Sequence, residues 1–338
     1  MTPLPPARPI AEVGPIDHAR FHAEIRPARQ PVVMRGLAAG WPGVAAAREN
    51  DRAMADYLLG FGPTRDVWGI VLPPEAEGRF FYNDDLTGLN FTSHQGPLGA
   101  FLGELLRLAE DHRPHGMAVQ SEEIPALLPG FVAANPMPLL PGVVPRIWLG
   151  NRIRVAPHYD LLENIGVCLA GRRRFTLFPP EQLPNIYAGP FERTPAGTPV
   201  SMVDPLAPDL ERYPRYAEAW AHAQQATLEP GDALYIPFAW WHGVDALEPL
   251  SILVNYWWSE APAGSGGGYD ALLHALYSYR HLPPDARAVW QGIFAHYVFG
   301  DEDPAAHLPA HAKGILGPAS PRLFAQMRAM LKGIFAQG

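Results

Sequence analysis

Two periods of apolar residues run through this chain, and they divide it. In the first third the helical period recurs. Leu98, Phe101, Leu102, Leu105, Leu106 and Ala109 share one face behind Gly96-Pro97, the pattern of an amphipathic helix. Residues 52–59 repeat it and are stopped by Gly60 and Gly62, and Asp17 is placed to cap a short helix over residues 18–24. Between these, residues 31–35, 66–72 and 79–82 are short apolar runs that read as strands, and the proline-rich residues 1–10 read as a loose extended arm.

From Arg146 the texture changes to brief apolar runs separated by Gly and Pro. Residues 146–149, 164–169, 173–178, 226–228, 233–236, 241–244 and 251–257 all read as strands. So many short strands at close spacing predict a barrel or sandwich. Residues 179–225 form a long insertion, Pro-rich at first and helical near 215–225, and connections of that length are usually functional. A Gly-rich linker over 261–268 leads into helices at about 269–281, 286–297 and 321–335. Their apolar faces, which include Leu272, Leu276, Trp290, Ile293, Met327 and Leu331, are too extensive for a solvated tail. They pack on the barrel or form a subunit interface. The predicted organisation is an arm over 1–20, a main domain over 21–260 and a helical region over 261–338, with no internal repeat.

Composition narrows the class. With 48% hydrophobic and 18% charged residues among 338, the chain reads as a well-buried globular protein. The formal net charge is −8 and no basic block exceeds Arg172-Arg173-Arg174, which disfavours nucleic acid as a partner. Cys168 is the only cysteine, so intrachain disulfides are excluded and a reducing, cytoplasmic setting is expected. The N-terminus lacks the pattern of a signal peptide, and no stretch approaches the roughly 20 apolar residues of a membrane span, so a soluble protein with no membrane partner is expected. The 39 prolines and 32 glycines favour short elements joined by turns.

The candidate chemistry lies in Val155-Ala-Pro-His158-Tyr-Asp160 and, far along the chain, His242 behind Trp240-Trp241. An imidazole and a carboxylate two residues apart at a strand face the same side. A distant second imidazole can complete a three-ligand face on a metal, and two His with one carboxylate is the open ligand set of non-haem Fe(II) oxygenases. Alone, His-x-Asp is weak evidence, since most examples are surface turns. Burying His242 among tryptophans costs free energy unless it has a partner. Arg173 is the second clue. Strand alternation puts Arg173, Phe175 and Leu177 on one apolar face, which points a guanidinium inward. Such a cation calls for an anion, either a ligand carboxylate or an internal Asp or Glu. Asn164 and Asn255 also face inward on apolar strands, as core-satisfying or ligand-orienting amides. The acidic pair Asp84-Asp85 reads as a solvated turn or as a contact for a basic side chain.

Taken together, His158-Tyr-Asp160, Asn164, the Arg173 strand ending in Leu-Phe-Pro-Pro180, the run from Gly231-Asp to Trp241-His242, and Asn255-Tyr-Trp resemble the JmjC/cupin-like Fe(II)/2-oxoglutarate dioxygenases. The subgroup most similar in appearance contains the asparaginyl hydroxylase of hypoxia-inducible factor. Residues 30–42, Gln-Pro-Val-Val-Met-Arg-Gly-Leu-Ala-Ala-Gly-Trp-Pro, are similar to the start of that domain, and the resemblance covers roughly residues 20–258. It implies a mainly β fold with α elements: a double-stranded β-helix of the jelly-roll or cupin kind, with N-terminal α/β elements and C-terminal helices. It also implies Fe(II) on His158, Asp160 and His242, with Arg173 on the distal carboxylate of 2-oxoglutarate and Asn164 and Asn255 in the cosubstrate pocket. The expected reaction is hydroxylation of a protein, peptide or amino-acid-like substrate, with release of succinate and CO2. Two positions depart from the pattern. Val155 stands where the asparaginyl hydroxylase has a hydroxyl residue, and Ala118 where it has a tyrosine, so Tyr82 is a candidate to supply a hydroxyl. A homodimer through the C-terminal helices is the arrangement the resemblance suggests. Two other readings stay open at this point: a cupin-type isomerase or hydrolase that uses a divalent metal without 2-oxoglutarate, and a non-catalytic metal-binding scaffold.

Overall fold

The eight strands from Pro145 onward are divided between two sheets in the order that makes a jelly roll. In a computed structural model describing residues 4–335, Pro145–Gly150, Glu163–Ala170, Ala233–Ile236 and Ser251–Trp258 lie in one sheet. Arg154–Tyr159, Arg173–Phe178, Gln224–Leu228 and Trp241–Ala246 lie in the other. The first three and last three residues of the expected arm and helical region lie outside the described residues. The expected double-stranded β-helix is the observed core.

N-terminal strands extend both sheets. The first is widened to nine strands by Ala11–Val13 and Val32–Met34 at one edge and by Gly116–Glu123, Asp66–Leu72 and Thr92–Pro97 at the other. The second becomes six-stranded through Arg8–Pro9 and Arg79–Phe80 at its two edges. The arm is therefore not loose. Arg8–Pro9 pairs in parallel with Gln224–Leu228, and Ala11–Val13 in parallel with Val32–Met34, so the arm crosses from one sheet to the other.

The turns that join the jelly-roll strands rest on specific contacts. Glu163–Ala170 and Arg173–Phe178 are connected through Gly171, whose φ of +69° favours glycine and whose added Cβ would come within 2.5 Å of the Leu250 carbonyl. At the turn before Ala233–Ile236, Asp232 accepts from Gly36 N at 2.9 Å and pairs with Arg35 at 2.5 Å, fastening the N-terminal turn to the barrel.

Two apolar layers pack on the nine-stranded sheet, one inside the barrel and one behind it. Between the sheets lie Ile10, Val33, Phe175, Leu177, Ala226, Leu228, Leu234, Ile236, Trp240 and Leu253. Behind the nine-stranded sheet, the helix Leu98–Leu108 buries Leu98, Phe101, Leu102, Leu105 and Leu108. Leu106 and Ala109, expected on that buried face, are only half-buried, because Leu108 takes the innermost place in the last turn. The helix Pro42–Glu49 and the strands Thr92–Pro97 and Gly116–Glu123 add to the elements expected from the sequence. The insertion holds a 3-10 helix, Pro180–Asn185, and one short α-helix, Tyr216–Ala221, whose Tyr216 packs with Phe178 and Trp241.

The chain divides into a unit ending at Trp258 and a second unit beginning at Ser259. The second contains the helices Gly268–Tyr279, Pro284–Tyr297 and Pro321–Phe335. Among its described residues Ala305 is the one fully buried apolar residue, while Tyr277, Val289, Tyr297, Phe299 and Ile334 are more than half exposed.

Candidate active site

The strand Arg154–Tyr159 contains an irregularity that shapes the site. His158 pairs with His242 and Val155 with Val244, so two residues, Ala156 and Pro157, stand opposite Gly243 alone. This is a β-bulge, and bulges beside functional sites re-aim side chains. It lets Val155 and His158, three positions apart, both take positions matched to the face of Val244 and His242. It also frees the Ala156 carbonyl to accept from His158 Nδ1 at 3.0 Å. His242 repeats the arrangement, with its Nδ1 3.0 Å from the Trp240 carbonyl. A carbonyl can only accept, so each ring carries its proton on Nδ1 and presents a bare Nε2.

Asp160 completes the cluster. One ligating atom from each of His158, Asp160 and His242 lies within 4.8 Å of the others, and the two imidazole centroids are 4.4 Å apart. Asp160 Oδ2 accepts from Asn164 Nδ2 at 2.9 Å and from Trp257 Nε1 at 3.0 Å. Both donors sit on the nine-stranded sheet, where Asn164 and Trp257 are register partners. Burial, and then the neighbouring His242, push the His158 imidazole down to about 4 against the pull of Asp160. It is therefore neutral near pH 7, as a metal ligand must be. Two neutral imidazoles and a braced carboxylate suit a divalent transition metal.

Arg173 lies further along the same inner face. On its strand, Leu177 is opposite His242, Phe175 opposite Val244 and Arg173 opposite Ala246. Four residues of strand, about 13 Å, separate Arg173 from the level of His242. Arg173 is 5% exposed; its Nε donates to Ser251 Oγ at 2.8 Å and its Nη2 to the Ser251 carbonyl at 3.2 Å. Burial pushes the guanidinium down to about 10, so it is still charged at neutral pH. Cys168, the nearby group that opposes this shift, is itself pushed up by burial to about 12 and is neutral. Among the described residues no Asp or Glu pairs with Arg173. The internal ion pair that the sequence left open is not formed, and a buried charge without a counter-ion is costly.

Asn255 Oδ1 accepts from Trp148 Nε1 at 2.7 Å, which leaves Nδ2 as the other end of that amide. Asn164 Oδ1 is buried with no protein partner. Ser251, Leu253, Asn255 and Trp257 alternate along one strand. That strand holds Arg173 at one end and Asp160 at the other. Sequence reasoning assigns no role to Ser251 or Trp148 and contains Trp257 only as the end of the Asn255-Tyr-Trp motif, although the period-two alternation through Asn255 places Ser251 and Trp257 on its face. Ala118 and Val155 share an apolar cluster with Ala246, the residue opposite Arg173. Tyr82 stands apart from these residues. It packs with Ala156 and Val200, and its hydroxyl donates to the Pro190 carbonyl at 3.0 Å. Asp85 is committed to a turn, accepting from the Thr87 hydroxyl at 2.6 Å and the Thr87 N–H at 2.9 Å.

The chain is similar to several known proteins. The chain is 35% identical over 115 residues to human HSPB1-associated protein 1, across 33% of this chain and 22% of that protein, so it spans about a fifth of that relative's length. It is 32% identical over 183 residues to the human bifunctional peptidase and (3S)-lysyl hydroxylase JMJD7, covering 47% of this chain and 53% of the other. A longer match, 24% identical over 277 residues, joins it to tRNA wybutosine-synthesizing protein 5 of Gallus gallus, covering 76% and 79%. The model of the cupin-like domain matches residues 18–264, which takes in the bulge, the three ligand candidates and Arg173. The chain belongs to the JmjC/cupin-like family.

Proposed function

We propose that this chain is an Fe(II)- and 2-oxoglutarate-dependent oxygenase that hydroxylates a protein or peptide side chain, or an amino-acid-like substrate. Arg173 carries the reading. A buried guanidinium with no carboxylate partner, on the same inner face as a two-histidine, one-carboxylate cluster, calls for a ligand with an acidic group at each end. A dicarboxylate that meets the metal at one end and Arg173 at the other meets that need. A cupin isomerase or hydrolase need not keep such a cation opposite the metal site.

The chain's own residues would act as follows. His158, Asp160 and His242 would hold the metal, each imidazole fixed in its tautomer by a backbone carbonyl. Asn164 and Trp257 hold Asp160 in place, and the unpartnered Asn164 Oδ1 is available to a donor on a bound ligand or water. Arg173, steadied by Ser251, would neutralise the distal carboxylate. With Val155 and Ala118 apolar and the Tyr82 hydroxyl engaged by Pro190, that carboxylate would depend on the arginine more heavily than a pocket with extra hydroxyls would require. Phe175, Leu177 and Leu253 exclude water from the space between the sheets. When bound, iron with 2-oxoglutarate and O2 supplies the oxidising power, turning the cosubstrate into succinate and CO2 while a substrate C–H becomes C–OH. The hydroxylase named among the relatives supports the reaction class.

Two further assignments belong to this reading. The apolar side chains exposed on the three helices after Ser259 fit a homodimer, and the single buried Cys168 fits a reducing cytoplasm. Among the described residues no helix is long and apolar enough to cross a membrane.

Anaerobic titration of the Fe(II)-loaded protein with 2-oxoglutarate tests the reading without knowledge of the substrate. The expected result is a visible metal-to-ligand charge-transfer band that is lost in His242→Ala. No band in folded, metal-replete protein would remove the oxygenase reading.

A further inference from the structure

The rim of the barrel beside the metal cluster carries a groove of about 600 Å³, lined in part by Arg8, Arg29, Gln224, Phe238, Ala239 and Trp240. Its wall is continuous with the candidate active site. Trp240 supplies the carbonyl that fixes His242, and Ala239 N donates to the Asp160 carbonyl at 3.4 Å. The sheet register makes the same connection. Arg8 pairs with Gln224, Gln224 with Leu177, Leu177 with His242 and His242 with His158, so all five lie in one transverse row. With strands about 4.8 Å apart, Arg8 stands about 14 Å from His242 along that row.

The charge of the groove is distinctive. Arg8 and Arg29 are exposed and make no ion pair among the described residues, whereas Arg35, Arg65, Arg146, Arg154 and Arg174 are each paired with a carboxylate. Glu181 is the one acid in the lining, so the groove is positive on a chain whose formal net charge is −8. Backbone strain is concentrated here too. Among the described residues six non-glycines have positive φ, and two of them, Arg29 (49°) and Ala239 (64°), line this groove. Strain of that kind persists where the surroundings hold it, and it collects at ligand clamps. The buried Glu163 is part of what holds it, accepting from Phe238 N at 3.2 Å and Tyr235 Oη at 2.8 Å. Phe238 is left 43% exposed.

We propose that this groove binds an extended, acidic peptide segment and delivers one of its residues to the metal cluster. What happens to the delivered residue rests on the oxygenase reading; the binding does not. Clefts of about 300–1,000 Å³ hold ligands of drug size, which suits several residues of peptide better than one free amino acid. Arg8 and Arg29 take carboxylate side chains, Gln30 and Gln224 offer amides to the peptide backbone, and Phe238 accepts an apolar side chain between the charges. Two arginines match a few carboxylates spaced along a peptide, whereas RNA carries a phosphate at every nucleotide and would meet stronger repulsion from a chain of net charge −8.

The test is fluorescence anisotropy at low salt, in chelator and without cosubstrate, so that failure of the groove and failure of the oxygenase reading are separate results. The probes are labelled peptides that share an apolar centre flanked by glutamates or by lysines, with a short single-stranded RNA as competitor. The glutamate peptide is expected to bind at least about tenfold more tightly than the lysine peptide. Arg8→Glu with Arg29→Glu should reverse that preference, and Arg8→Gln with Arg29→Gln should abolish it. Both sites are exposed, so the melting temperature checks that the variants are folded. Equal binding of the two peptides, or a preference that survives the charge reversal, overturns the proposal. So does RNA that displaces the glutamate peptide and loses affinity in the reversed variant, which would make the groove a nucleic-acid site.

Discussion

The indole of Trp257 donates to Oδ2 of Asp160 at 3.0 Å across 97 residues of sequence, so the last strand of the jelly roll holds a metal-ligand candidate from the second. The opposite end of that strand holds Arg173 through Ser251 at 2.8 Å. One strand therefore sets the spacing between the carboxylate of the candidate metal site and the cation proposed to meet the cosubstrate. A hydrogen bond to a ligand carboxylate fixes its orientation, and removing it commonly weakens metal binding by about 10–100-fold. Trp257→Phe keeps an aromatic ring on the strand and deletes the donor, with a modest loss of packing against Trp148. Fe(II) or Co(II) affinity should fall within that range while the melting temperature of the metal-free protein moves little. Unchanged metal affinity would show that Asn164 alone suffices to hold Asp160.

Ser251 and Arg173 allow a second separation. Arg173→Ala should raise the 2-oxoglutarate concentration needed to develop the charge-transfer band by about 100-fold, since a charge-assisted bidentate contact is worth about 3 kcal/mol. Ser251→Ala leaves the charge and removes its main tether, so an intermediate loss of about tenfold is expected. Removing a buried unpaired charge also relieves the empty protein. Arg173→Met should therefore melt no lower than wild type without cosubstrate and gain no stability when 2-oxoglutarate is added.

Much of this was legible in the sequence because the jelly-roll strands follow period two. The alternation in Arg173-Arg-Phe-Thr-Leu-Phe178 states which side each residue takes, and the structure buries Arg173, Phe175 and Leu177 accordingly. What escaped notice depends on pairing at sheet edges or on partners distant in sequence. Thr92–Pro97 is a polar, mostly exposed edge strand with no apolar alternation to reveal it. Arg8–Pro9 and Ala11–Val13 become strands only because neighbouring strands offer free edges. Pro157, a proline inside a paired strand, is the one mark the bulge leaves in the sequence, and its place is defined only by what lies opposite, a single Gly243. Nor does a sequence state that Arg173 meets a serine hydroxyl and no acid.

The His158 imidazole gives the metal-free protein a pH dependence whose sign follows from its pKa, lowered from 6.5 to about 4 chiefly by burial. Between those values the unfolded chain binds a proton that the folded chain refuses. Stability therefore rises with pH across that window. Above about 6.5 this group contributes no slope, and on acidification to about 4 it withdraws up to about 3 kcal/mol, at 1.36 kcal/mol for each unit. Urea unfolding in chelator should show that loss between pH 6.5 and pH 4. In His158→Gln the slope should be shallower by about that amount. An identical slope in the variant would place the titration elsewhere.

The helices after Ser259 give the last prediction. In that unit Tyr277 is 84% exposed and Phe299 77%, and Ala305 is the one fully buried apolar residue among those described. Three helices cannot offset their ordering entropy with so little apolar burial. On the homodimer proposed above, a second copy of this chain would supply the missing burial by bringing the same apolar faces to a two-fold interface. Stable interfaces of this kind exceed about 1,000 Å². Light scattering at micromolar concentration should therefore give twice the 37.0 kDa of one chain. Leu331→Arg, at an exposed position on the helix Pro321–Phe335, should reduce the mass to that of a monomer, and so should deletion of residues 319–338. Both variants should unfold at lower temperature, with a midpoint that no longer depends on protein concentration. A monomeric wild-type chain whose mass and melting do not change on the deletion would rule out the dimer.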